Sequence, residues 1–146
     1  MPAKRFKYIP HTADVAFVAY GKNLEAALES AALALLNLML DIKKVRAVNA
    51  KSIVIKIDDE ASTKEDLVWY FLQDILSKID AGKLNAYDFK IHAVKESHAK
   101  LKASGRLLCK DIKTDFTLLS LKAVTPHNLI IRSTAKGCSI SVVADV

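Results

Sequence analysis

Residues 31–39, AALALLNLM, offer only Asn37 as a polar side chain. Upstream, Leu24, Ala27, Leu28, Ala31, Leu35, Leu38 and Met39 recur at helical spacing, and Asn23 is placed to cap the N-terminus. A helix apolar on nearly every side cannot rest on a surface, so this one must be deeply packed. Asp41 marks its end. A chain with such a helix must supply apolar surface from other elements to cover it.

A second helix opens at STKE (62–65), where Ser62 and Glu65 have the spacing of a capping box. Its buried face is predicted to be Leu67, Val68, Phe71, Leu72, Ile75 and Ile79, ending before Gly82. VAFVAY (15–20) reads as a strand closed by Gly21, and RAVNAKSIVIKID (46–58) as another. After Gly82, the stretches YDFKIHAVKE, AKLKASGRLL, DFTLLSLKAVT, NLIIRST and SISVVADV predict successive strands of an antiparallel meander. The fold class is therefore α+β: two helices packed on a largely antiparallel or mixed sheet, in a single compact domain over 1–146.

The 51% hydrophobic and 26% charged composition excludes a disordered chain. No apolar run reaches the roughly 20 residues of a membrane helix, and MPAKRFKYIPHTADV lacks the apolar core of a signal peptide. A cytoplasmic protein without a membrane role is expected. Cys109 and Cys138 form no CxxC and no tight spacing with histidine, so free thiols are expected and zinc is not. The net charge of +6 suits an acidic partner such as RNA, but it comes from scattered lysines that a solvated surface explains equally well. Lys90 and His92, with Lys100 and Lys102, form either a phosphate-binding patch or an ordinary solvated sheet face. Neither GxGxxG nor GxxxxGKS is present, which removes the common nucleotide cradles.

Four charged residues stand in apolar surroundings: Asp14 at the mouth of VAFVAY, Asp41 after LALLNLML, Lys122 within LLSLKAVT, and Asp145 at the end of SISVVADV beside Val146. Lys122 is predicted to lie within a strand, sharing a face with Leu118 and Val124. Removing an ionised group from water costs several kcal/mol unless it is paired. Each has an ordinary explanation as a turn residue, a solvated helix end, an exposed terminus or a snorkelling lysine. Taken together, several carboxylates with no neighbouring His or Cys form an all-oxygen set, which suits Ca²⁺ or Mg²⁺.

HTADVAFVAYGKNLEAALESAALALLNLMLD (11–41), the apolar helix DLVWYFLQDILSKID (66–80), LKAVT (121–125) and VVADV (142–146), in this order, resemble the archease family across essentially the whole chain. The resemblance implies a protein cofactor rather than an enzyme. Such a cofactor activates the RNA-splicing ligase RtcB by promoting transfer of a guanylyl group onto the ligase's histidine, allowing repeated turnover in tRNA splicing. It also implies a divalent cation, Ca²⁺ before Mg²⁺ or Mn²⁺, held by Asp14, Asp41 and Asp145, with the Val146 carboxylate as a further ligand. Lys122 and His11 would act in activation or partner contact, with tRNA touched indirectly or weakly. Two positions depart from the family: Pro126 stands where a tyrosine is usual, and Arg106 follows Gly105 where a glutamate is common. The alternatives are a basic RNA-binding module, a chaperone of another tRNA-processing enzyme, or a metal-dependent phosphoryl-transfer enzyme.

Overall fold

The structure, a computed structural model, describes residues 5–10 and 14–146. In chain order the elements are β1 (Phe6–Ile9), β2 (Val15–Gly21), α1 (Leu24–Met39), α2 (Ile42–Ala47), β3 (Ser52–Ala61), α3 (Lys64–Gly82), β4 (Asn85–Ser97), β5 (Lys100–Lys110), β6 (Ala123–Thr134) and β7 (Gly137–Asp145). Every strand pairing is antiparallel, within two sheets ordered β1-β2-β7-β6 and β3-β5-β4. The α+β class holds, with two corrections. The strands after Gly82 do not form one meander, because the β4–β5 hairpin and the β6–β7 hairpin belong to different sheets. The helices are not laid on one sheet either. α1 packs against β2 and β7 on one side and β4 on the other, and α3 against β6 on one side and β3 and β5 on the other.

That layering answers the demand made by the greasy helix. Ala27, Leu28, Ala31, Ala32, Ala34, Leu35 and Leu36 are fully buried, because a helix between two sheets has few faces left for water. The Asn23 side chain accepts from the Ala26 N–H as the N-cap, and the helix stops at Met39, just before Asp41. In α3 all six residues of the expected inner face are buried. Its cap is Thr63, whose Oγ1 accepts from the Asp66 N–H at 3.1 Å, in place of Ser62. Phe71 of α3 meets Phe89 of β4 edge to face, with centroids 5.5 Å apart. Phe89 also lies against Gly105 of β5, where a Cβ would stand 2.4 Å from the Phe89 ring. Cys109 and Cys138 are free thiols buried in the core.

Two short elements, β1 and α2, are not predicted by the sequence. Residues 46–47 belong to α2, so the strand expected over 46–58 runs from Ser52 to Ala61 instead. The expected strand through Lys122 is also corrected, since β6 begins only at Ala123. Residues 111–122 form a strap whose backbone groups find partners elsewhere. Asn85, buried at 4% exposure, donates to the carbonyls of Ile112 and Thr114 and accepts from the Phe116 N–H. Leu118 donates to the Met39 carbonyl at 2.8 Å, and Asp41 donates to that of Phe116 at 2.9 Å. With these bonds made at a helix end, only the bridge of Leu40 with Thr117 remains strand-like. Lys122 is exposed, as is Leu118 at 62%, so no desolvation has to be offset at the lysine.

Candidate functional site

β2 and β7 run antiparallel, with Val15 opposite Ala144 and Gly21 opposite Cys138. One step beyond the first pair, Asp14 and Asp145 reach the same end of neighbouring strands. Both are half-buried, and Val146 follows at 43% exposure. On the other flank of β7, Ala123 pairs with Asp145. The Thr125 hydroxyl donates to Asp145 Oδ1 at 3.1 Å. The Lys122 N–H donates to the Asp145 carbonyl at 2.8 Å. A β-sheet end thus gathers Asp14, Asp145, Val146, Lys122 and Thr125 from three stretches of chain. Thr125 is the member the sequence did not single out.

Asp41 approaches by another route. It caps α2, its Oδ1 accepting from the Lys44 N–H at 3.3 Å, while Oδ2 lies 3.8 Å from Lys44 Nζ. The strap connects this helix end to the sheet end: Leu118 and Leu119 bond to Met39, and Lys122 bonds to Asp145. Among the described residues, no three His, Cys, Asp or Glu side chains form a ready-made metal cluster. His11 lies outside the described residues. The donor types match a hard cation, since Asp14, Asp41 and Asp145 offer only carboxylate oxygens. In placement Asp14 and Asp145 adjoin, whereas Asp41 is committed to the first turn of α2.

α3 fixes the start of β6. Trp69 Nε1 donates to the Val124 carbonyl at 2.8 Å, and the Val124 N–H donates to Gln73 Oε1 at 2.8 Å. These bonds cover the edge of β6 that faces away from β7, holding Ala123–Thr125 rigid beneath Lys122. Beyond Thr125 the β6–β7 register shifts before pairing resumes at Ile130. Pro126, without an N–H to donate, stands at that break.

A second acidic group was overlooked. Asp59 points inward from β3, in step with Ile57 and Ala61, which are both buried. Its Oδ2 is buried with no donor to accept from among the described residues. Desolvation and the neighbouring Asp74 raise its pKa to about 7. A proton on Asp59 can be given to the Asp74 carboxylate, which also contacts Lys78. The alternation Ile53, Ile55, Ile57, Asp59, Ala61 was the available sequence signal. The possible phosphate patch on β4 and β5 is partly neutralised: Lys90 pairs with Asp88 at 3.4 Å, and Lys100 and Lys102 both lie within 3.6 Å of Glu60.

No helix among the described residues is long and apolar enough to cross a membrane. The pattern that defines the archease protein family matches residues 6–146. An archease of Methanosarcina barkeri is 32% identical over 145 residues, covering 98% of this chain and 97% of that protein. The solution structure of Methanobacterium thermoautotrophicum protein 1598 superposes with a TM-score of 0.80 at 25% identity, covering 97% of this chain and 99% of that one. The crystal structure of a Thermotoga maritima archease, described there as a possible chaperone, gives a TM-score of 0.52 at 25% identity and covers 96% of both chains. With the family pattern spanning almost its whole length, and with an archease relative this similar over nearly all of both sequences, the chain belongs to the archease family.

Proposed function

We propose that the protein is a non-catalytic activator of the RNA-splicing ligase RtcB, promoting the ligase's guanylylation and its multiple turnover in tRNA splicing. The observation that supports this most is the strand register that brings Asp14 and Asp145 to one end of the sheet, with the exposed Lys122 bonded to the same residue. In this reading Asp14 and Asp145, with Val146 and Asp41 as further donors, hold a divalent cation, Ca²⁺ before Mg²⁺ or Mn²⁺. When bound, it supplies a fixed positive charge at a surface where phosphate chemistry is to be assisted, in a reaction where positioning and charge stabilisation do most of the work.

The chain's own residues have separate tasks. Thr125 orients the Asp145 carboxylate by its hydrogen bond. Trp69 and Gln73 hold the strand beneath it. Lys122 keeps its ammonium in solvent, where a partner's anionic group can reach it. Asp41 can contribute an oxygen only by sharing it with the first turn of α2.

The test is direct. Guanylylation and multiple-turnover ligation by RtcB are measured with and without this protein, and both should accelerate in its presence. An unchanged rate in both assays removes the proposal.

A further inference from the structure

A cavity lies at the opposite end of β2 from Asp14, seven residues and roughly 20 Å along the strand. Its volume is about 600 Å³, within the range of small-molecule sites. It opens where the β6–β7 hairpin meets the turn between β2 and α1. Two glycines allow that closure: a Cβ on Gly137 (φ +146°) would stand 2.7 Å from the Gly21 carbonyl oxygen, and a Cβ on Gly21 2.2 Å from the Ala27 nitrogen. Backbone therefore occupies the space that side chains would fill elsewhere.

The charge of the lining is one-sided. Arg5, Lys22, Arg132 and Lys136 border the cavity, and no carboxylate does. Arg5 is committed to Glu29 at 2.7 Å and to the Ser30 hydroxyl. Among the described residues Lys22, Arg132 and Lys136 have no ion-pair partner, and the Tyr20 hydroxyl has no hydrogen bond. Tyr20, Ser139 and Arg132 are successive neighbours across β2, β7 and β6, which puts a ring, a hydroxyl and a guanidinium in one row. Gathering uncompensated cations around a hollow disfavours the free protein and favours an anion within it.

We propose that this cavity binds a small molecule carrying two or more phosphate groups, with Arg132, Lys22 and Lys136 contacting the phosphates and the Tyr20 ring contacting the organic part. Guanidinium and ammonium groups in this arrangement give charge-assisted bonds to phosphate oxygens, with Arg132 able to donate two at once. The site shares no residue with the acidic end and does not rest on the activator reading. It is tested on the isolated full-length protein, without ligase.

Calorimetric titration with pyrophosphate and with ADP provides the probes. Saturable binding is expected for at least one, weakening as salt rises. Arg132→Gln and Lys22→Gln should each lower the affinity about tenfold or more, while Arg106→Gln, on the other sheet, should leave it unchanged. Tighter binding of ADP than of pyrophosphate assigns the organic part to Tyr20; equal affinities assign the site to the phosphates alone. Arg132 and Lys22 are both exposed in the parent, so unchanged thermal unfolding should accompany the loss. Absence of binding by both probes, or binding that both variants retain in full, overturns the proposal.

Discussion

Lys122 and Asp145 are joined through the main chain, the lysine N–H donating to the aspartate carbonyl at 2.8 Å, while the lysine side chain is left in solvent. Position and chemistry are thereby separable at this residue. Lys122→Ala keeps the backbone bond and removes only an exposed ammonium. Its stability should stay within about 0.5 kcal/mol of the parent. RtcB turnover, if the lysine acts on the partner, should collapse. Denaturant midpoints and ligation rates measured on the same preparation check both halves.

Ca²⁺ should stabilise the protein if Asp14 and Asp145 share a cation. A ligand at a hundred times its Kd adds about 2.7 kcal/mol to folding, enough to raise Tm by several degrees. EDTA should reverse the rise, and Asp145→Asn or Asp14→Asn should abolish it. Thr125→Val, which removes only the hydroxyl that orients Asp145, should weaken the response without eliminating it. A Tm indifferent to both Ca²⁺ and EDTA excludes the cation.

The Asp59–Asp74 contact predicts a pH dependence of the opposite sense to a salt bridge. Desolvation and Asp74 raise the Asp59 pKa from 3.8 to about 7 in the folded protein. The unfolded chain therefore loses that proton first, and this contribution to stability falls as pH climbs from about 4 to about 7. Below that window both states are protonated there, and above it neither is. Asp59→Asn keeps a hydrogen-bond donor toward Asp74 without the charge. Its urea midpoint should exceed the parent's at pH 8, and the advantage should shrink toward pH 4. An equal difference at both pH values rules out the shared proton.

Gly105→Ala should destabilise by about 1–3 kcal/mol, the usual cost of overpacking, although alanine is acceptable in a strand. The new methyl would stand 2.4 Å from the Phe89 ring and 2.9 Å from the Lys90 carbonyl oxygen. Phe89 would have to leave its edge-to-face contact with Phe71. Equilibrium unfolding measures the loss, and Gly105→Ala combined with Phe89→Leu should recover part of it.

What could be read from the residue order was local. The inner face of α3, the Asn23 cap, the burial of α1 and the strands over 15–20, 87–96 and 139–146 follow from spacing that each segment carries within itself. The misplaced carboxylates were also legible, because Asp14 and Asp145 stand at the ends of apolar strands. Lys122 was misplaced, since LLSLKAVT has strand composition. Its preceding residues were drawn away by Asn85 and the end of α1, partners 27 to 79 residues distant.

The sequence by itself determined the two long helices, which of their faces turn inward, and that acidic groups terminate two strands. Only the tertiary structure decided that the strands divide into two sheets around the helices, that Asp14 meets Asp145, and that four cations surround one cavity. The reason is physical. Periodicity is set by side chains a few bonds apart, whereas pairing is set by which distant backbone satisfies each N–H and carbonyl once the apolar faces are covered.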